Sequence, residues 1–328
     1  MLTSDQKILF VFPGQGSQYK GMGSDLYLEY ETARKVYAEA SDVLGYDVGE
    51  LSFEDPRDQL NLTRFTQPAL LTHSIACLEV FRDLTGGKVK PSVAAGHSLG
   101  EYSALVAAEV LSFERALKLV HKRGELMGTH GEGEMSAFPL DIDTIRPIAE
   151  RYHCAIAGCN LPEQTVIGGR EEDLALVEQQ VQERFERKTP VRLKTEGAFH
   201  TYYMVEAARR YRAVLEEAGF NLSDVPVLSN FTGVYHEADP VGIRARLFFQ
   251  LFHPVLWFSN LKTAFADGVE VILEFGGGIG FGTEPEGKRP NLAGIVKKTQ
   301  RATGHAAHYM AAINRQTLQD AVAFVQAG

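Results

Sequence analysis

Among the 328 residues of the chain, Gly96-His97-Ser98-Leu99-Gly100 has the residue types and spacing for covalent chemistry. It fits Gly-x-Ser-x-Gly, where a serine sits on a sharp turn between a strand and a helix. The flanking glycines let strand and helix approach where a Cβ would collide. The helix N-terminus puts its positive dipole end beneath the serine oxygen, and the Leu99 N–H is placed to receive an oxyanion. Such a five-residue match also arises by chance in unrelated turns. Here it follows the apolar Ser92 to Ala95 and precedes a helical pattern over Glu101 to Leu111, which favours Ser98 as a nucleophile.

A serine hydroxyl needs a base. Of the ten histidines, His73, His121, His130, His153, His305 and His308 have nothing else pointing to them. His305 and His308 lack a third ligand, so no metal site is expected. His200 lies in Gly197-Ala198-Phe199-His200, after a strand and directly before a helix. It is the candidate base, with a surface loop histidine as the alternative.

Positioning these groups requires an α/β scaffold. Ile8 to Phe12 reads as a buried strand running into a Gly-rich loop. Asp25 to Leu44 and Gln67 to Leu84 read as helices. Parallel strands joined by helices put functional loops at their carboxyl ends. From Glu134 the texture changes. Strands are expected at Glu134 to Phe138, Ala155 to Asn160, Gln164 to Ile167 and Val191 to Leu193, with helices at Asp141 to Tyr152 and Glu171 to Arg184. That β-α-β-β-α-β order is ferredoxin-like. The expected organisation is a discontinuous large domain, residues 1–130 and 197–328, interrupted by a small subdomain at 131–196. After it, Thr201 to Ala218 reads as a helix, and Val225 to Ser229 and Val269 to Phe275 as strands.

Composition excludes several classes. The chain is 45% hydrophobic and 23% charged, as in globular proteins with a buried core. A net charge of −9 argues against a global nucleic-acid surface. Cys77, Cys154 and Cys159 form neither a disulfide framework nor a zinc motif. No apolar run approaches the roughly 18 residues of a membrane span, and Ile8 to Phe12 is too short for a signal segment. The cytoplasm is the expected location. Gly276 to Gly282 lacks the Gly-x-Gly-x-x-Gly spacing, and no Gly-Lys-Ser/Thr occurs, so no nucleotide cofactor is expected.

An ordered set of motifs resembles the malonyl-CoA:acyl carrier protein transacylases and the acyltransferase domains of polyketide synthases. It begins with Phe12-Pro13-Gly14-Gln15-Gly16-Ser17-Gln18 and Thr66-Gln67-Pro68-Ala69-Leu70. It continues with Gly96 to Tyr102, Arg123-Gly124 with Met127, Asn160 with Pro162 and Gln164, Gly197 to His200 with Met204, and Gln250 with Pro254 and Trp257. The resemblance spans nearly the whole chain. It implies an α/β-hydrolase-like large domain with the ferredoxin-like insertion.

The resemblance also implies a Ser98–His200 dyad whose imidazole is oriented by a main-chain carbonyl near Gln250. An oxyanion hole would come from the N–H groups of Gln15 and Leu99. Arg123 would bind a free carboxylate on the acyl group, which a planar guanidinium can grip through two hydrogen bonds. By spacing alone Arg123 reads as an exposed helical arginine. His97, Met127, Asn160 and Phe199 would line the pocket, although Asn160 also suits a turn-capping asparagine. The implied reaction moves a malonyl-type group from a CoA or carrier thioester to the phosphopantetheine thiol of an acyl carrier protein, in polyketide or fatty acid biosynthesis, with no cofactor.

Phe199 before His200 fits malonyl selectivity. Thr201-Tyr202 and the segment from Gly276 to Pro290 depart from the family pattern and leave hydroxymalonyl or aminomalonyl open. Arg184, Arg187, Lys188, Arg192 and Lys194, with Arg209, Arg210 and Arg212, form a basic stretch that suits an acidic carrier, with a solvated face as the alternative. The rival activity is an acyl hydrolase or editing thioesterase of α/β-hydrolase type.

Overall fold

A computed structural model describes residues 6–327. The first part comprises β1 (Ile8–Phe12), α1 (Ser24–Glu29), α2 (Glu31–Leu44), α3 (Val48–Phe53), α4 (Thr63–Leu84), β2 (Val93–Gly96), α5 (Gly100–Ala107) and α6 (Phe113–His130). Next come β3 (Glu134–Phe138), α7 (Ile142–Arg151), β4 (Ala155–Leu161), β5 (Gln164–Gly169), α8 (Glu171–Arg184) and β6 (Val191–Leu193). The chain then runs through α9 (Val205–Glu217), α10 (Pro240–Gln250), α11 (Trp257–Ala266), β7 (Val271–Phe275), α12 (Ala293–Thr303), β8 (His308–Ala312) and α13 (Arg315–Ala327).

The outer segments build one parallel sheet in the order β2-β1-β7-β8. The strands β1, β2 and β7 are buried along their whole length, which explains why they read as unbroken apolar runs rather than alternating ones. Register decides the site. Phe12 stands beside Gly96, so the loops after β1 and β2 leave the sheet side by side. Gln15 and Ser98 therefore enter one space although about eighty positions apart.

The middle segment forms an antiparallel sheet in the order β4-β5-β3-β6. Its two faces follow the strand period of two. Phe138, Ile156 and Ile167 pack under α7 and α8 with Ile145, Leu174 and Val177. Met135, Ala157 and Val166 point the other way, into the large core. A backbone ladder joins the two parts: Cys159 N–H donates to Val255 O at 2.8 Å and Val255 N–H to Ala157 O at 3.0 Å.

Several sequence expectations need correction. The helix expected over Asp25 to Leu44 is broken at Tyr30, whose extended backbone ends α1 and begins α2. Val225 to Ser229 is not a strand: only single bridges occur, from Val227 to Ala94 and from Leu228 to Tyr235. The helix expected from Thr201 starts as a 3-10 turn at Tyr202–Met204, and α9 begins at Val205. The helix expected from Gln67 begins at Thr63 and carries Pro68 inside its first turns. Pro68 lies past the N–H groups that a helix start leaves free, so α4 forgoes one intrahelical bond there.

The glycines of the elbow are sterically required. A Cβ on Gly96 would lie 1.8 Å from the carbonyl atoms of Gly100, and one on Gly100 would lie 2.2 Å from Phe12 O. Gly96→Ala should therefore lower folding stability by about 3 kcal/mol or more, because backbone rather than a side-chain tip must move. A denaturant midpoint equal to that of the parent protein would contradict this packing.

Candidate active site

The turn between β2 and α5 holds Ser98 in the left-handed region at φ 53°, and His200 has φ 62°. A residue with a Cβ occupies that region at a cost and persists there only where its surroundings impose it. Side chains supply the constraint at Ser98. Asn230 Oδ1 accepts from Ser98 N–H at 2.6 Å, and Gln250 Nε2 donates to Ser98 O at 3.0 Å. The strained turn aims Ser98 Oγ at His200 Nε2, 2.7 Å away. The other imidazole nitrogen, Nδ1, lies 2.7 Å from Gln250 O, at the end of α10. A carbonyl can only accept, so Nδ1 carries the proton and Nε2 is free to accept one from the serine.

Arg123 is wholly buried, at 0% exposure, so the exposed-arginine alternative is wrong. The reason lies in its neighbour. A Cβ on Gly124 would meet Thr63 O at 2.6 Å, so the glycine lets α6 press against the start of α4 and turns Arg123 inward. Its Nη1 donates to Gln67 Oε1 at 2.9 Å. Its Nη2 donates to Gln250 Oε1 at 2.9 Å and to Ser98 Oγ at 3.3 Å. Nε has no hydrogen-bond partner, and among the described residues no carboxylate pairs with this guanidinium. A buried cation left with neutral acceptors costs several kcal/mol, which an arriving anion would offset.

These groups line a cleft of about 880 Å³ between the two sheets. Gln15, His97, Leu99, Met127, Asn160 and Phe199 all line it as well. His97 Nε2 lies 2.8 Å from Asn160 Oδ1, so Asn160 does not cap its own turn but joins β4 to the serine elbow. Among the described residues, the N–H groups of Gln15 and Leu99 have no hydrogen-bond partner. They can therefore receive an oxyanion. His305 is instead occupied elsewhere, 2.5 Å from Val269 O and stacked on Phe265.

Residues 9–241 match the family model described as Acyl transferase domain. The chain belongs to the acyl transferase family. It is 37% identical over 306 residues to the malonyl CoA-acyl carrier protein transacylase of Bacillus subtilis (strain 168), covering 90% of this chain and 91% of that one. It is also 37% identical over 279 residues to the polyketide biosynthesis malonyl CoA-acyl carrier protein transacylase PksC of the same organism, covering 83% and 93%. Among solved structures, the malonyl CoA-acyl carrier protein transacylase of Coxiella burnetii superposes with a TM-score of 0.86 at 33% identity, over 97% of each chain. A malonyl-transacylase in complex with its type II PKS acyl-carrier protein gives 0.86 and 33%, over 97% and 99%.

Sequence reasoning misses part of this acyl transferase's site. Asn230 carries no motif signal of its own, Glu101 enters only within the Gly96 to Tyr102 motif with no role assigned, and Gln250 enters only for its carbonyl. The basic stretch is partly paired within the chain. Arg192 pairs with Glu134 and Glu178, Lys188 with Glu163, Arg210 with Glu206 and Arg212 with Glu216. Half of the supposed docking charge is thus neutralised locally. Lys194 lines the cleft mouth and, among the described residues, has no carboxylate partner.

Burial, and then the Arg123 cation, hold the His200 pKa down from 6.5 to about 3, against the stabilising Gln250 carbonyl. The imidazole is therefore neutral, and competent as a base, throughout the physiological range. Acylation by the free acyl transferase, followed as kcat/KM, should stay within about 2-fold between pH 7.5 and pH 5.5. An acidic limb centred near the ordinary histidine value would contradict it. The unfolded chain takes up this proton below its ordinary value and the folded chain does not. The contribution to stability is therefore full above pH 6.5 and declines as pH falls below it. His73, buried and held near 4, acts in the same direction.

Proposed function

We propose that this chain transfers a malonyl group from coenzyme A, through an ester on Ser98, to the pantetheine thiol of an acyl carrier protein. The observation that carries this reading is the buried guanidinium of Arg123, 3.3 Å from Ser98 Oγ and, among the described residues, without a carboxylate partner. An acyl group bearing its own carboxylate supplies the missing anion. Phe199, buried beside His200, leaves little room at the carbon between the two carbonyls and favours unsubstituted malonyl.

In the first half-reaction Ser98 Oγ attacks the thioester carbonyl while its proton passes to His200 Nε2. The oxyanion forms against the N–H groups of Gln15 and Leu99. The imidazolium keeps its Nδ1–H on the Gln250 carbonyl. As the tetrahedral intermediate collapses, the carbon–sulfur bond breaks and Nε2–H protonates the departing CoA thiolate. In the second half-reaction the carrier thiol gives its proton to His200 and attacks the acyl ester. Collapse breaks the ester bond and returns the proton to Ser98. A neutral carbonyl suffices as orienter, unlike the late acid–histidine pair expected of a typical α/β-hydrolase.

This reading takes residues 1–130 and 197–328 as an α/β-hydrolase-like domain and 131–196 as a ferredoxin-like subdomain. It is supported by the β-α-β-β-α-β succession of β3 to β6 and their spatial order. The cleft between the two parts admits the pantetheine arm, with Lys194 at its mouth as a contact for an acidic carrier.

Intact-mass measurement tests the reaction. Malonyl-CoA should add one malonyl group to the parent protein and none to Ser98→Ala, and a pantetheinylated carrier should remove it much faster than water does. Discharge to water at the same rate would indicate a hydrolase.

A further inference from the structure

The proposed mechanism leaves a second buried charge unused. Glu101, in the first turn of α5, is wholly buried. Its Oε1 lies 2.7 Å from His236 Nε2. Its Oε2 accepts from Asn230 N–H at 3.0 Å and from Gln250 Nε2 at 2.8 Å. A carboxylate here has nothing to donate, so the Gln250 side-chain atom facing it is the amide nitrogen. That nitrogen's two protons go to Glu101 and to Ser98 O. The amide oxygen is thereby turned onto Arg123 Nη2, 2.9 Å away.

A guanidinium and a carboxylate thus lie buried one side chain apart, and they are not paired. Direct contact would be strong in so dry a place and would occupy the guanidinium fork. Gln250 instead gives Arg123 a neutral acceptor, which an incoming carboxylate can outcompete because a charge-assisted hydrogen bond is roughly twice as strong as a neutral one.

We propose that the Gln250 side chain, locked in one orientation by Glu101, is a specificity-determining spacer that keeps Glu101 off Arg123 and so reserves the guanidinium for the carboxylate of the acyl group. This rests on the carboxylate-binding reading of Arg123. Gln250 determines specificity through direct contact with the cation. Glu101 is a positioning residue that acts through Gln250.

The test uses the full chain and single-turnover acylation of Ser98 by malonyl-CoA and acetyl-CoA in parallel, with thermal melts as a check on folding. Gln250→Glu places a carboxyl group against Arg123, sharing a proton with Glu101 on its other side, and leaves the main-chain carbonyl that holds His200. The malonyl-to-acetyl ratio of acylation efficiency should fall about 100-fold, with the loss concentrated in the half-saturating malonyl-CoA concentration. Glu101→Gln frees the amide to turn over and should lower the same ratio about 10-fold. If Gln250→Glu does not fold, Glu101→Gln decides. Equal losses on both donors would reduce these residues to structural supports and overturn the proposal, as would an unchanged ratio. Failure of the underlying reading would look different: the parent protein itself would show no preference for malonyl-CoA.

Discussion

The site depends on one buried cation that, among the described residues, no carboxylate pairs with. Arg123 is held by two amide oxygens and the nucleophile itself, and the helices around it are arranged to keep it there. Gly124 permits the close approach of α6 to α4, and Gln67 and Gln250 reach in from two different helices. The same charge acts on chemistry as well as on binding, because it helps keep His200 neutral. A negatively charged acyl group would relieve the cation and leave a base ready to take the serine proton.

The second constraint is conformational. Ser98 and His200 both occupy the left-handed region, which a free chain would seldom populate. Rigid elements impose it. The buried parallel sheet fixes the elbow, Asn230 and Gln250 grip the peptide groups around Ser98, and the His200 N–H is tied to Leu251 O at 3.1 Å. Strain at the reacting residues is sustained by hydrogen bonds a shell away. Those outer polar residues hold the dyad in place.

Much of this was legible in the sequence, for physical reasons. The strands β1 and β2 announce themselves as short apolar runs ending in glycine. The strands of the second sheet are short runs set between helices and a turn, with side chains packed on both faces. The serine elbow is a local device written in five residues. What was illegible depends on distant packing. Nothing local distinguishes Arg123 from a solvated helical arginine, because its burial is set by Gly124 meeting a helix some sixty positions away. Asn230 directly follows a run that resembles a strand, Val225 to Ser229, which pairs only through single bridges. The basic stretch read as either a docking face or a solvated face, and which of its charges meet a glutamate depends on partners distant in the chain, such as Glu163 for Lys188 and Glu178 for Arg192.

The central claim is that Arg123 selects a carboxylated acyl group, and its most direct test is Arg123→Met, which keeps bulk and removes charge. Measured as single-turnover acylation of Ser98, the preference for malonyl-CoA over acetyl-CoA should fall by at least about 100-fold, the worth of a buried charge-assisted pair. A folded variant that retains the parent's preference would contradict the account.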